Sequence, residues 1–221
     1  MSKDIQGLLF SFVYLFALLF IAEIVRKRRN YPQSFTRKCI HIGVGFWAFF
    51  AYLGFDSLWA VIIPPLSFVF INLLSYRFTI IKAMEMEGKK NPGTIFYPLS
   101  VCILLVFFWP EETRLVPVIG LLVMGLGDGF ASIIGKRFGN HTYRVWTHHK
   151  SLEGSLAMLV FSFLAVLILT SLFTHLPLPA RLWQAVAVGL LAAVVEGLSP
   201  WGADNLTVPL LSGLAYWLLF L

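Results

Sequence analysis

A single aspartate stands in an apolar, glycine-rich stretch near the middle of the chain. Asp128 follows Gly127, and Ser132, Gly135 and Gly139 come after it at spacings that a helix would place on neighbouring turns, with Lys136 next to Gly135. A carboxylate in apolar surroundings must be paired, protonated or bound to a metal. Asp128 offers hard oxygen ligands beside a basic loop and therefore suits Mg²⁺ carried by nucleotide phosphates, while the glycines let a backbone or a phosphate approach closely. An interhelical ion pair for the aspartate and plain helix packing for the glycines stay open as alternatives.

A second polar segment, 148–155, ends where the next apolar run begins. Ser151 and Glu153 stand where a helix N-cap and an acidic first turn are expected, and that structural role alone accounts for them. A helix N-terminus next to Lys150 is equally suited to bind phosphate. In that case Glu153 serves the metal instead of the helix dipole.

Further polar residues lie at the same ends of other apolar runs. His41 follows Arg37 by one turn, Glu196 closes a late apolar run, and Asp204 and Asn205 begin the last one. Ionisable groups in or beside membrane spans are functional candidates by default. An Asp-Asn pair is usually a turn former, so a metal or hydroxyl-binding role and a structural role are equally open for it.

The composition defines the elements that must position these residues. Hydrophobic residues make up 58% of the 221 residues and charged residues 13%, and the mean hydropathy is +0.81. Soluble domains average about 45–50% apolar and about 25% charged residues, so a soluble enzyme, a disordered chain and a coiled coil are excluded. Two cysteines and five histidines give neither a disulfide framework nor a zinc-binding pattern.

Apolar runs of about 20 residues predict membrane helices, and the chain is expected to form one integral membrane domain, 1–221. Eight spans are predicted, with seven also possible because several are short: 5–25, 39–54, 57–75, 94–109, 115–135, 154–174, 182–198 and 205–221. The fold class is therefore an all-α polytopic helical bundle.

The basic residues predict the orientation of the bundle. Fourteen of the 17 Lys and Arg residues lie in the connections after spans 1, 3 and 5, which places these connections, and the polar site with them, at the cytoplasmic edge. The net charge of +6 suits anionic lipid headgroups or a nucleotide triphosphate. Nucleic acid is not expected as a partner, and the sequence leaves the oligomeric state open.

The order of these motifs resembles the CTP-dependent lipid-alcohol kinases, the family of dolichol, phytol and polyprenol kinases. The resemblance rests on the glycine-aspartate run, the element 150–155, the segment 35–45, the segment 93–98, and Glu196 with Asp204, Asn205 and Pro209. The Lys-Ser/Thr-x-Glu-Gly element is shared more distantly with phosphatidate cytidylyltransferases.

The resemblance implies transfer of the γ-phosphate of CTP, with Mg²⁺, to the terminal hydroxyl of a long isoprenoid alcohol. It assigns catalysis to Asp128, Lys150 and Asp204, and metal binding to Asp128 and Glu153. It assigns nucleotide binding to Arg37, Lys38, Gly127, Gly135, Lys136, Gly139, Lys150, Ser151, Glu153 and Gly154. The remaining site-lining residues are expected to be His41, Asn72, Thr94, Glu196 and Asn205.

Three points stay open at the level of sequence. Either Asp128 or Asp204 takes the proton of the alcohol. A cytidylyltransferase acting on a lipid phosphate is a second enzymatic interpretation. A small transporter is the third, although transporters favour polar sites at the membrane midplane and internal repeats.

Overall fold

The computed structural model describes residues 2–78, 80, 92–146 and 148–221. The helices and strands have the following bounds: α1 Lys3–Arg29, α2 Gln33–Gly54, α3 Leu58–Val61, α4 Ile63–Phe78, α5 Gly93–Phe108, α6 Leu115–Leu122, a π-helix Val123–Asp128, α7 Gly129–Phe138, β1 Thr142–Val145, β2 His148–Ser151, α8 Leu152–Phe173, α9 Leu178–Leu198 and α10 Asp204–Phe220.

Within the described residues, the helices form eight segments that match the eight predicted spans. α3 and α4 make up one segment, and α6, the π-helix and α7 make up another. Five segments are long and apolar enough to cross a membrane: Lys3–Arg29, Leu58–Phe78, Leu115–Phe138, Leu152–Phe173 and Leu178–Leu198. The prediction of an all-α polytopic membrane protein is confirmed.

Exposed tryptophans mark the two ends of the bundle. Trp59, Trp183 and Trp217 lie at one end, and Trp146 and Trp201 lie at the other. Tryptophan is enriched where a membrane meets water, because its indole is apolar with one polar edge. The end that holds Trp146 and Trp201 is also the end where the predicted polar residues lie.

The segment Leu115–Phe138 forms the centre of the bundle. Every residue from 115 to 129 is buried, and the segment packs against α2, α5, α8 and α10. A helix that is apolar on all sides is expected at such a central position. Asp128 lies near the end of this buried stretch, where the π-helix passes into α7.

Two glycines bring α2 into direct backbone contact with the central segment. A Cβ atom added to Gly45 would lie 2.9 Å from the Cα atom of Gly125, and one added to Gly125 would lie 2.6 Å from the Cα atom of Gly45. Neither position therefore has room for a side chain. This close crossing places the first turns of α2 beside Asp128.

A short hairpin stands where the sequence predicts only a loop. β1 and β2 pair antiparallel, with Tyr143 opposite Lys150, and the chain reverses at Trp146, whose φ is 55°. Threonine, tyrosine and valine in β1 favour an extended strand. The hydroxyl of Tyr143 lies 2.6 Å from that of Ser155, so the hairpin is fixed to the first turns of α8.

The basic connections differ in part from their prediction. Arg37 and Lys38 belong to α2 and not to a loop, because that helix begins immediately after Pro32. The predicted loop lysines 82, 89 and 90 lie outside the described residues. The predicted orientation in the membrane stays a prediction.

Candidate active site

A charged cavity of about 360 Å³ opens between α2, α7, the hairpin, α8 and the α9–α10 connection. Sites for small ligands typically occupy about 300–1,000 Å³. The charged side chains at the cavity that are central to its chemistry are Arg37, Lys38, Asp128, Lys150, Glu196 and Asp204.

Three carboxylates converge in this cavity and are called the acid cluster below. Asp128 ends the π-helix, Glu196 lies in the last turn of α9, and Asp204 begins α10. One carboxylate oxygen of each lies within 4.8 Å of those of the other two. Asp128 and Glu196 are buried, with 3% and 8% of their surface exposed. Like charges this close require nearby positive charge, protonation or a metal ion.

The π-helix accounts for the orientation of Asp128. Its wider turn inserts one residue into the helical repeat, and such turns occur frequently at functional sites. The turn ends at Asp128, whose carboxylate lies with those from two other helices.

Two lysines neutralise part of the acid cluster. Nζ of Lys38 donates to Oδ2 of Asp128 at 2.5 Å, and Nζ of Lys150 donates to Oε1 of Glu196 at 2.7 Å and also to the backbone carbonyl of Glu196. Lysine is a flexible point charge, so each one is able to turn from a carboxylate to a phosphate oxygen.

The third carboxylate is held by its neighbour in sequence. Oδ1 of Asp204 accepts hydrogen bonds from the backbone amide of Asn205 at 2.9 Å and from Nδ2 of Asn205 at 2.7 Å. The amide group of Asn205 also donates to the carbonyl of Gly202. The Asp-Asn pair thus fixes the α9–α10 connection and also places a carboxylate at the cavity, so its structural role is compatible with the functional one, which stays a prediction.

Arg37 and His41 lie on the side of Asp128 that faces α5. The guanidinium of Arg37 is buried beside the cavity. Nε2 of His41 lies 3.4 Å from Oδ2 of Asp128, and its ring stacks on Tyr97 with 4.1 Å between the ring centroids.

The N-terminus of α8 forms another part of the wall. Oγ of Ser151 accepts a hydrogen bond from the amide of Gly154 at 3.1 Å, so Ser151 is the N-cap of this helix, as predicted. Gly135 lies opposite, and a Cβ atom there would be 3.0 Å from Oγ of Ser151. All three residues line the cavity, which places a helix N-terminus and Lys150 together at a position suited to phosphate.

Glu153 is not part of the acid cluster. Its carboxylate accepts hydrogen bonds from the amides of Asn140 and His141, and Oε1 lies 2.8 Å from Nδ1 of His141. The side chain thus holds the connection between α7 and the hairpin, and the metal role predicted for Glu153 stays a prediction. Among the described residues Glu196, not Glu153, lies with Asp128 and Asp204. The reason is geometric: position 153 faces the hairpin, whereas position 196 faces Asp128.

The residues predicted in the glycine-rich run fall into two groups, those that line the charged cavity and those that do not. Gly135 and Lys136 line the cavity, whereas Gly127 and Gly139 do not belong to its lining. A Cβ atom on Gly127 would meet the side chains of Ser162 and Met158, so this glycine serves the packing of α8. Gly139 packs on Ser151.

Asn72 and Thr94 contact each other at a separate, apolar cavity. Nδ2 of Asn72 donates to the carbonyl of Thr94 at 2.7 Å. Both residues line this second cavity, which borders the charged one.

Sequence reasoning missed several residues of the cavity wall. Thr142, Ser199, Trp201 and Gly202 all line it. The sequence shows only a Trp-Gly pair in the last polar connection, and the structure gives both residues positive φ, 51° and 81°. Such a backbone for a tryptophan is uncommon and often accompanies a functional site.

The fold and the site together define a class: a polytopic membrane protein whose buried acids and lysines form a cavity suited to a metal and phosphates. The chain is 37% identical to the phytol kinase of Synechocystis over 204 residues, which cover 92% of this chain and 87% of the relative. It is 31% identical to phytol kinase 1 of Arabidopsis thaliana, over 93% of this chain and 73% of the relative. It is 30% identical to the farnesol kinase of the same plant, over 89% of this chain and 69% of the relative.

The chain therefore belongs to the prenol kinase family, which includes the phytol and farnesol kinases. The predicted enzyme class, a phosphotransferase with an alcohol acceptor, is confirmed. No family model matches the chain, and no solved structure matches it.

Proposed function

We propose that the charged cavity binds CTP with Mg²⁺ and that the enzyme transfers the γ-phosphate to the terminal hydroxyl of a long isoprenoid alcohol. The observation that carries this proposal is the convergence of the acid cluster with two lysines at the buried end of one cavity. The alcohol class rests on the names of the relatives. CTP as the donor rests on the motif resemblance.

The balance of charge supports a metal-bound nucleotide. The three negative charges of the acid cluster face four cationic side chains in the cavity lining, Arg37, Lys38, Lys136 and Lys150, so a highly charged triphosphate entering without a metal ion would still leave the cavity net negative. Asp128, Glu196 and Asp204 would hold the Mg²⁺ ion, because hard carboxylate oxygens are its usual protein ligands. The ion supplies charge neutralisation on the phosphates when bound.

The lysines then have a second role. Lys38 and Lys150, released from their carboxylates, donate to phosphate oxygens, together with the amides at the N-terminus of α8. Phosphoryl transfer depends on this kind of positioning and neutralisation more than on covalent chemistry by the protein.

The reaction is an in-line displacement at the γ-phosphorus. The alcohol oxygen forms a bond to phosphorus, the bond to the bridging β-phosphate oxygen breaks, and CDP leaves. The hydroxyl proton goes to a carboxylate oxygen of Asp128 or Asp204. The products are a prenyl phosphate and CDP.

We also propose that the cavity faces the cytoplasm. In the sequence, 14 of the 17 Lys and Arg residues lie between predicted spans 1 and 2, 3 and 4, and 5 and 6, and positive charge is retained on the cytoplasmic side. A water-soluble nucleotide then reaches the site directly, while the alcohol arrives from the membrane.

The test uses the purified full chain in lipid nanodiscs with farnesol, geranylgeraniol and phytol. γ-Labelled CTP, ATP, GTP and UTP are supplied in turn with Mg²⁺, and the lipid product is identified by mass spectrometry. The proposal expects label in a prenyl monophosphate, most with CTP, and CDP as the second product. Folded protein that labels no alcohol with any donor refutes it.

The same assay distinguishes the proposed kinase from the second enzymatic interpretation, a cytidylyltransferase. A cytidylyltransferase would release pyrophosphate from CTP and leave CMP on a lipid phosphate. A parallel reaction with phosphatidic acid and α-labelled CTP detects that product, and the proposed function expects none.

A further inference from the structure

A second cavity lies between α1, α2, α4 and α5 and is called the apolar chamber below. Its volume is about 70 Å³. Its apolar wall includes Leu15, Leu19, Val44, Trp47, Phe68 and Val101. Along α2 the wall extends from Arg37 to Trp47, a rise of about 15 Å.

The apolar chamber meets the charged cavity at one end. Arg37 and Asn205 line both cavities, so their side chains form the partition between them. His41 lines the chamber and lies 3.4 Å from Asp128 on the other side. A molecule in the chamber with a polar group at this end would therefore face the acid cluster.

Three buried polar atoms of the chamber wall have no hydrogen-bond partner among the described residues. They are Nη1 of Arg37, Nε2 of His41 and Oδ1 of Asn72. The three residues are only 8%, 7% and 3% exposed. Nε2 of His41 faces Oδ2 of Asp128 at 3.4 Å. A buried polar atom without a partner is destabilising, so the other two, Nη1 of Arg37 and Oδ1 of Asn72, point to a ligand that supplies the missing partners.

The orientation of Asn72 follows from a proline. Pro98 lies inside α5 and has no N–H to donate to the carbonyl of Thr94, one turn earlier. Nδ2 of Asn72 donates to that carbonyl instead. Because Nδ2 is committed in this way, Oδ1 is the end of the amide that remains as an acceptor.

We infer that the apolar chamber binds the hydroxyl end of the alcohol substrate, an inference that rests on the proposed function. A hydroxyl is both donor and acceptor, so it accepts from Nη1 of Arg37 and donates to Oδ1 of Asn72. The first carbons of the tail lie against Val44 and Val101. The oxygen then stands at the partition, next to the acid cluster.

The size of the chamber predicts which features of the alcohol substrate affect turnover. A cavity of about 150 Å³ holds one benzene molecule, and the chamber has about half that volume, so it admits only the part of the alcohol nearest the hydroxyl. The rest of the tail lies beside α1, whose surface is largely exposed. Bulk near the hydroxyl is therefore expected to reduce turnover more than a change in tail length.

A matched pair of valines on α5 tests the chamber. Val101 is 4% exposed and lines it, whereas Val106 is 52% exposed on the outer surface. Val101→Phe is expected to lower kcat/KM for farnesol by about tenfold or more, chiefly through KM, with KM for CTP unchanged. Val106→Phe is expected to behave as the unsubstituted enzyme. Equal farnesol kinetics in the two folded variants would overturn the inference.

Photolabelling tests the same inference on the unsubstituted protein, which removes any dependence on how Val101→Phe folds. The probe is a farnesol analogue with a diazirine on the carbons next to the hydroxyl, applied without nucleotide. Label is expected on 40–47 of α2 or 94–101 of α5, and excess farnesol is expected to suppress it. Label confined to the outer helix faces, or label that farnesol does not suppress, would overturn it.

The two experiments keep this inference separate from the proposed function. Suppressible label in the chamber with no phosphorylation of any alcohol would uphold the binding site and refute the kinase reaction with CTP. Phosphorylation with label only elsewhere would uphold the kinase and refute the chamber.

Discussion

The contact between Gly45 and Gly125 offers the most specific test of how the fold positions the site. In Gly45→Ala, the new Cβ atom starts 2.9 Å from the Cα atom of Gly125. Carbon atoms pack at about 3.5–4.0 Å, so α2 must move away from the central segment by roughly 1 Å. That movement carries Lys38 and His41 away from Asp128.

The magnitudes follow from this displacement. Overpacking a well-packed interface costs about 1–3 kcal/mol, so we expect the protein to stay folded with a lower thermal midpoint. A misplacement of about 1 Å in a catalytic arrangement costs roughly 10²-fold in rate. We therefore expect kcat for prenyl phosphate formation to fall by about two orders of magnitude, far more than stability alone explains.

The control lies on the same helix. A Cβ atom on Gly54 meets only the Cα atom of Gly7, at an ordinary 3.7 Å, so Gly54→Ala makes the same chemical change without the displacement. Both variants are assayed with labelled CTP and farnesol, and their thermal midpoints are measured in the same lipid. If Gly45→Ala keeps kcat within twofold of Gly54→Ala, the reasoning about this crossing is refuted.

Three further predictions concern the acid cluster and its cations. Asp128→Asn and Lys150→Ala should each abolish detectable turnover while the amount of folded protein in the membrane stays near normal. Activity of both variants within a few-fold of the unsubstituted enzyme would show that the site is misassigned. Glu196→Gln should lower kcat by about 10²-fold or more. Glu153→Gln should keep most activity and lose thermal stability, because its carboxylate holds the hairpin connection. A larger loss of kcat in Glu153→Gln than in Glu196→Gln would instead support the metal role that the sequence predicts for Glu153. EDTA should abolish turnover and added Mg²⁺ should restore it, and activity that persists with metal-free nucleotide would refute the metal requirement.

Much of the fold could be predicted because the membrane imposes one simple rule. A span needs about 20 apolar residues whatever its neighbours are, so the runs on either side of each polar connection correspond to helices. The rule does not act on 142–151, where the pairing of Tyr143 with Lys150 depends on contacts with α8. The pattern of apolar residues therefore gives no indication of the hairpin.

Two residues of the candidate site could be predicted because their types are unexpected at their positions in the sequence. Asp128 stands out because a carboxylate in an apolar run requires an explanation, and Lys150 stands out beside a helix start. The sequence could not choose between Glu153 and Glu196, because both lie near helix ends and only the packing decides which one faces Asp128. The apolar chamber could not be predicted from the sequence either, because Asn72 and Thr94 become neighbours only when α4 packs on α5.

Metal binding by the acid cluster can be measured directly. Mn²⁺ serves as a paramagnetic probe for Mg²⁺, and bound ion is counted by electron paramagnetic resonance in the presence of CTP. We expect one CTP-dependent Mn²⁺ per chain in the unsubstituted protein and in Glu153→Gln, and its loss in Glu196→Gln and Asp204→Asn. Unchanged binding in the last two variants, or loss in Glu153→Gln alone, would contradict the account.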